Sequence, residues 1–216
     1  MTNEVGAVTA WMRATSLTWC GPERRLPGRS RRGHVSRTGA CWRPPSCTRF
    51  APRPPGLRVI RGVLREVYGA RREGRRNVPS AGALYALRLA VVPTSGGVVH
   101  ELAGGELCAH AAPAITGDEI RGAVFHQIEG EAALVIVGAE LDAYVERYAL
   151  RGVRYALLEA GHVVQEAIRC AAARGLAACP LGSFDDEALR RLLGARLSAT
   201  WPLYALALGR AGRDTR

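Results

Sequence analysis

The stretch from Val153 to Arg174, "VRYALLEAGHVVQEAIRCAAAR", limits how this chain can fold more than any other. It lacks proline and is dominated by Ala, Leu, Val and Ile, so it reads as one long helix. A surface helix keeps a broad polar face, whereas here apolar residues fall on nearly every side. Such a helix belongs at the centre of a molecule or in an interface. Glu159 and His162 lie three residues apart on one of its faces. Buried polar groups need partners, so the expectation is a hydrogen-bonded Glu159–His162 pair supporting helix packing. A metal site would need further ligands, which the sequence does not supply, and none is expected.

The segments around this helix carry both structural periods. Leu57, Ile60, Leu64 and Val67 fall at helical spacing with Gly69 as a stop, predicting a helix over 57–68. "ALYALRLAVV" (83–92) reads as a strand, "TSGG" as a turn and "VVHEL" (98–102) as the returning strand of a hairpin. Thr116 and Glu119 have capping-box spacing, opening a helix over 117–124. "AALVIVG" (132–138) is a buried strand. Leu141, Tyr144, Val145 and Tyr148 line one face of a helix ending near Arg151–Gly152. Asp185 to Leu193 is a short helix capped from Ser183 and stopped by Gly194, and "PLYALALG" (202–209) is the last strand. Interleaved strands and helices, with hairpin and crossover connections, predict an α+β or mixed α/β domain.

Charge divides the chain unevenly. All 30 basic residues are Arg; 17 of them lie at or before Val78, against 4 of the 19 acidic residues. The net +11 is therefore +13 up to Val78 and −2 beyond it. Residues 1–45, including "CGPERRLPGRSRRGHVSRTGACWRPP", have no apolar period and are expected to be a basic tail without packed structure. Residues 46–216 form the expected domain, and a chain of 216 residues at 48% hydrophobic can build one well-buried core. Arg-rich tails bind phosphate backbones, but aromatic interleaving is thin here, with Trp19 and Trp42 as the candidates, so nucleic acid is not the expected partner. No apolar run reaches membrane length and no signal-peptide pattern opens the chain, so a cytoplasmic location is expected. Cys20, Cys41, Cys47, Cys108, Cys170 and Cys179 form no CxxC or metal-ligand spacing, and inert roles are expected for them.

Two segments are poor in side chains large enough to fill a core. In "VPSAGALY" (78–85), Pro79, Ser80, Ala81, Gly82 and Ala83 leave backbone amides open to a planar or anionic ligand. In "ACPLGSFDDEAL" (178–189), a Pro-Leu-Gly turn leads into a helix N-terminus, whose free N–H groups favour negative charge. Each alone reads first as a tight turn. Neither is a P-loop or a dinucleotide fingerprint.

Together, "VPSAGALY", "RGVRYALLEAGHVVQEAIRCAAARGLAACPLGSFDDEALRRLLG" and "PLYALALGR" resemble the nitroreductase superfamily, in matching order from about Ser46 to Arg210. Within it they are most similar to the SagB type, which includes azoline dehydrogenases of thiazole/oxazole-modified peptide pathways. The resemblance implies an α+β sandwich, a mostly antiparallel sheet flanked by helices. It implies a homodimer in which the long helix is the central interface element and FMN lies between subunits. Carried over by position, Pro79, Ser80, Ala81 and Gly82 would lie along the isoalloxazine, with Cys179, Pro180, Leu181 and Gly182 on its other side. Ser46, Arg49 and Arg210 would reach the FMN phosphate, a role that suits the planar guanidinium fork. Family members usually carry paired arginines where this chain has Pro44 and Pro45.

The resemblance also implies the chemistry. Azoline dehydrogenases carry a Lys-Tyr pair at the position of Arg147–Tyr148. Hydride leaves the ring for the flavin while a base takes the proton, and Tyr148 could hold or relay that proton. Arg147 stays protonated and would be limited to electrostatics. From its spacing alone, Tyr148 is equally a packing residue on an apolar helix face. The expected function is oxidation of a thiazoline or oxazoline in a peptide natural product, with a cyclodehydratase complex as partner. The alternatives are an NAD(P)H-dependent nitro or quinone reductase and a flavin-poor scaffold subunit of a biosynthetic complex.

Overall fold

The computed structural model describes residues 44–110 and 114–212, together with Ala10. The basic tail expected over residues 1–45 falls outside them, Ala10, Pro44 and Pro45 apart. Eight strands are present among the described residues: β1 (Leu87–Pro93), β2 (Gly96–Gly97), β3 (His100–Ala103), β4 (Glu106–Ala109), β5 (Ile115–Thr116), β6 (Ala133–Glu140), β7 (Ala177–Leu181) and β8 (Thr200–Gly209). Among the same residues run the α-helices α1 (Leu57–Tyr68), α2 (Gly117–Ala123), α3 (Leu141–Tyr148), α4 (Arg151–Ala172) and α5 (Asp186–Leu193). Six strands form one antiparallel sheet in the order β4-β3-β1-β6-β8-β7, and β2 pairs with β5 beside it.

Strand alternation sends successive side chains to opposite faces, and both faces are covered. Leu87, Leu89, Val91, Val135, Val137, Leu206 and Leu208 pack under α1, α3 and α4. Ala90, Val92, Leu134, Ile136, Ala205 and Ala207 pack against α2 and α5. This explains the continuous apolar run of β6, which has no solvent face to supply. Each of its fully buried Val, Leu and Ile side chains contributes roughly 1.5–3 kcal/mol. The fold is the expected α+β sandwich, a mainly antiparallel sheet between helical layers.

Several local expectations are corrected. β1 starts at Leu87 rather than at residue 83, because Gly82, Ala83 and Tyr85 have φ of 56°, 53° and 50°, incompatible with a strand. The hairpin forms, with Ala90 opposite Glu101, but its returning strand is 100–103. Residues 177–181, read as part of a turn, are the edge strand β7, where Pro180 is tolerated because only one side is paired. α3 stops at Tyr148, since Ala149 takes φ 51°, and α4 runs from 151 to 172 rather than 153 to 174. α5 is capped by Asp185, whose side chain accepts from the Ala188 N–H at 2.9 Å, not by Ser183.

The capping box of α2 forms as its spacing predicts. The Glu119 carboxylate accepts from the Thr116 N–H at 2.8 Å and from its hydroxyl at 2.7 Å, and these bonds hold its carboxyl below the usual value. α4 buries Ala156, Ala160, Val163, Val164, Ala167 and Ile168, yet Leu157 and Leu158 on its other side are 46% and 54% exposed, and neighbouring Leu150 is 53% exposed. Its all-round apolarity thus splits into one face on the sheet and one leucine face outside. Among the described residues no helix is long and apolar enough to cross a membrane.

Candidate functional site

The loop from Val78 to Ala86 joins α1 to the sheet, and a buried carboxylate holds it. Glu159, 1% exposed on α4, accepts hydrogen bonds from the Tyr68 hydroxyl at 2.6 Å, the Tyr144 hydroxyl at 2.8 Å and the Ser80 hydroxyl at 2.5 Å. Burial, and then the negative charge of Glu159, pushes both phenols far above their ordinary range, so both remain donors. The expected Glu159–His162 pair is not formed: His162 is on the exposed side of α4. The partners of Glu159 come from α1, the loop and α3 instead. Arg76 completes the surroundings, with its guanidinium carbon 3.9 Å from the Tyr68 ring centroid and an N–H to the Tyr68 carbonyl at 2.8 Å.

On the outer side of this loop, Pro79 and Gly82 are exposed while Ser80 and Ala81 are half-buried. Arg147 and Tyr148, at the end of α3, close on the same loop. A Cβ added at Gly82 would stand 2.2 Å from the Tyr148 hydroxyl and 2.9 Å from an Arg147 Nη. Gly82 therefore answers two demands, a left-handed backbone and room for the tyrosine. Tyr148 is half-buried and meets Tyr155 edge-to-face, ring centroids 5.0 Å apart. It thus has a packing contact and a hydroxyl at the loop together.

Ser46, Arg49, Cys179, Pro180, Leu181, Gly182 and Arg210 gather elsewhere. The Ala51 N–H donates to the Arg210 carbonyl at 2.8 Å, and the Gly212 N–H to the Arg49 carbonyl at 2.9 Å, so the Arg49 segment is zipped to the end of β8. The Cys47 N–H donates to the Ala178 carbonyl at 2.8 Å, fastening the residue after Ser46 to β7. Phe50 is buried at this junction, in contact range of any side chain that replaced Gly209. Ser46 and Arg210 are exposed. Arg49 pairs with Glu129 at 3.1 Å, both side chains more than half exposed, a contact of little net strength that a phosphate can displace. Cys179 and Leu181 turn toward the α2–α5 core, and Gly182 is open. Burial pushes the Cys179 thiol up to about 11.

Within one chain the 79–82 loop is far from Arg49 and Arg210, while Leu181, opposite Ala205, lies between the two ends. Leu87, which ends the first loop, is level with Ala139 and so with Trp201 on β8. Arg210 lies nine residues further along that strand (201 to 210), about 30 Å at the rise of an extended chain. The 79–82 loop with Arg147–Tyr148 is therefore at one end of the sheet and Arg49 with Arg210 at the other.

The profile of the nitroreductase family matches residues 45–210, which contain both groups. A nitroreductase-family protein of Methanocaldococcus jannaschii is 29% identical over 173 residues, 76% of this chain and 86% of its own. Among solved structures, a chain of the E. coli microcin synthetase McbBCD complex with truncated pro-MccB17 bound is similar in fold. It has a TM-score of 0.77 at 17% identity, covering 99% of this chain and 95% of its own. A nitroreductase-type protein of Ralstonia eutropha gives a TM-score of 0.66 at 18% identity, covering 88% and 89%. The chain belongs to the nitroreductase family, a family of oxidoreductases.

Proposed function

We propose that this member of the nitroreductase family is an FMN-dependent dehydrogenase or oxidase that converts a peptide thiazoline or oxazoline to the azole. One observation carries the reading: Arg147 and Tyr148, which stand where the azoline dehydrogenases have Lys-Tyr, meet the "PSAG" loop at Gly82. The likeness to a chain of a microcin synthetase complex with a pro-peptide bound supports a peptide substrate and a multi-subunit partner such as a cyclodehydratase.

FMN suits the residues present. The 79–82 loop offers backbone and small side chains to a flat ring, and the exposed guanidiniums of Arg49 and Arg210 suit a phosphate. One flavin cannot span about 30 Å along β8, so the reading includes a homodimer in which the partner supplies the missing half of each site. The exposed Leu150, Leu157 and Leu158 are the apolar surface for that pairing.

When bound, FMN would supply the hydride acceptor. The chain's own residues do the rest. The 79–82 backbone orients the ring system, and Tyr148, with its hydroxyl at Gly82, takes or relays the proton lost from the azoline carbon. Arg147, always cationic, holds positive charge beside that hydroxyl and cannot itself be the base. The tyrosine–tyrosine contact with Tyr155 keeps the ring from swinging away.

The test is made on purified protein. The expected result is a yellow protein releasing FMN on denaturation, which oxidises a thiazoline-bearing peptide in air without NAD(P)H. Tyr148→Phe should lower kcat by a factor of about 10²–10⁴. Flavin bleaching by NAD(P)H, with Tyr148→Phe unaffected, would establish the nitro- or quinone-reductase reading instead. A second reading, the flavin-poor scaffold, is favoured by Pro44–Pro45 in place of paired arginines. A colourless protein that FMN cannot reconstitute would establish that one.

A further inference from the structure

We infer that Glu159 is a positioning residue that fixes both ends of the 80–87 segment and so sets the geometry at which Gly82 meets Arg147 and Tyr148. The argument starts from its partners. All three donors to this buried carboxylate are hydroxyls, and two of them pass the constraint on. The Ser80 hydroxyl, while donating to Glu159, accepts the Tyr85 N–H at 3.0 Å. The Tyr68 hydroxyl, while donating to the same carboxylate, accepts the Leu87 N–H at 3.1 Å. One carboxylate thus holds the start of the loop through one hydroxyl and the start of β1 through another.

The segment between needs holding. Gly82, Ala83 and Tyr85 all have positive φ, and for the two non-glycine residues this backbone is unfavourable on its own. Such conformations persist only where the surroundings over-determine them. Tyr144 adds a third tie, since it lies on α3, the helix that ends at Arg147 and Tyr148. Glu159 therefore couples the loop to the helix that closes on it. Charge matters as well as shape: hydrogen bonds to an ionised acceptor are about twice as strong as neutral ones. Glutamine could imitate the volume without offering both oxygens as acceptors.

The cofactor side of this inference rests on the FMN reading; the loop side does not. Its test therefore begins on flavin-free protein, by amide hydrogen exchange in the wild type, Glu159→Gln, Ser80→Ala and Tyr68→Phe. Ser80→Ala should speed exchange at Tyr85, Tyr68→Phe at Leu87, and Glu159→Gln at both, by about tenfold or more. Leu134 in β6 should be unchanged in all of them. Should Glu159→Gln fail to fold, the other two variants carry the test. Wild-type exchange at Tyr85 in Ser80→Ala and at Leu87 in Tyr68→Phe would overturn the inference. FMN affinity, titrated by flavin fluorescence, should weaken about tenfold in Ser80→Ala with a changed visible flavin spectrum. Failure of every protein, wild type included, to bind FMN would instead overturn the cofactor reading, and the exchange data would still judge Glu159.

Discussion

Gly82 combines a left-handed backbone with a neighbour that leaves no space for a side chain. Gly82→Ala should therefore destabilise the protein by about 1–3 kcal/mol, measured as a shift in the urea midpoint. The atom a Cβ would strike first is the Tyr148 hydroxyl, so adding Tyr148→Phe should recover part of the loss and give a non-additive double-mutant cycle. The thiols give a second outcome at this scale. Burial pushes Cys170 and Cys179 from 9.0 up to about 11. Above pH 9 the unfolded chain releases protons that the folded chain still holds, so their contribution to stability falls as pH rises from about 9 to 11. Urea midpoints for Cys170→Ala and Cys179→Ala should be less sensitive to pH in that window than the wild type. What the sequence could not convey at this scale is the partnership of Glu159. His162 is three residues away along the chain, whereas Tyr68, Ser80 and Tyr144, the real partners, are brought in by α1, the loop and α3.

Helices and strands were legible where their apolar period was strong and their stop signals explicit. α1 has its apolar spacing and Gly69, and α2 has its capping box, and both form within a residue of expectation. β4 was missed because Glu106–Ala109 is a short, largely exposed edge with no alternation to read. β7 was missed because Pro180 and the following glycine look like a turn until β8 is there to pair one side. The join between α3 and α4 rests on a close approach: a Cβ on Gly152 would lie 2.3 Å from the Tyr144 carbonyl oxygen. Gly152→Ala gains up to about 1 kcal/mol of helix propensity, but backbone is a poor thing to displace. A net loss of about 1–3 kcal/mol is expected from overpacking. Chemical denaturation measures it, and a stabilised variant would mean that α3 can give way.

Across the whole molecule, the arrangement of the candidate site was legible only through resemblance. No spacing rule indicates that residue 82 meets residue 148, or that residue 49 runs beside residue 210. Those contacts come from chain topology: the sheet carries the 79–82 loop to one end and Arg49 with Arg210 to the other. The proposed homodimer accounts for the leucine face of α4, and Leu158→Glu should turn a dimer into a monomer by light scattering, with flavin lost alongside. The separation along β8 also means that each site would draw one half from each subunit. Two inactive proteins should then make an active one. Gly82→Ala damages one half-site and Arg210→Ala the other, so each homodimer contains only defective sites. In a mixed dimer both lesions fall on one site and the other is wholly wild type. Co-expression should restore about a quarter of wild-type turnover, since half the dimers are mixed and half their sites are intact.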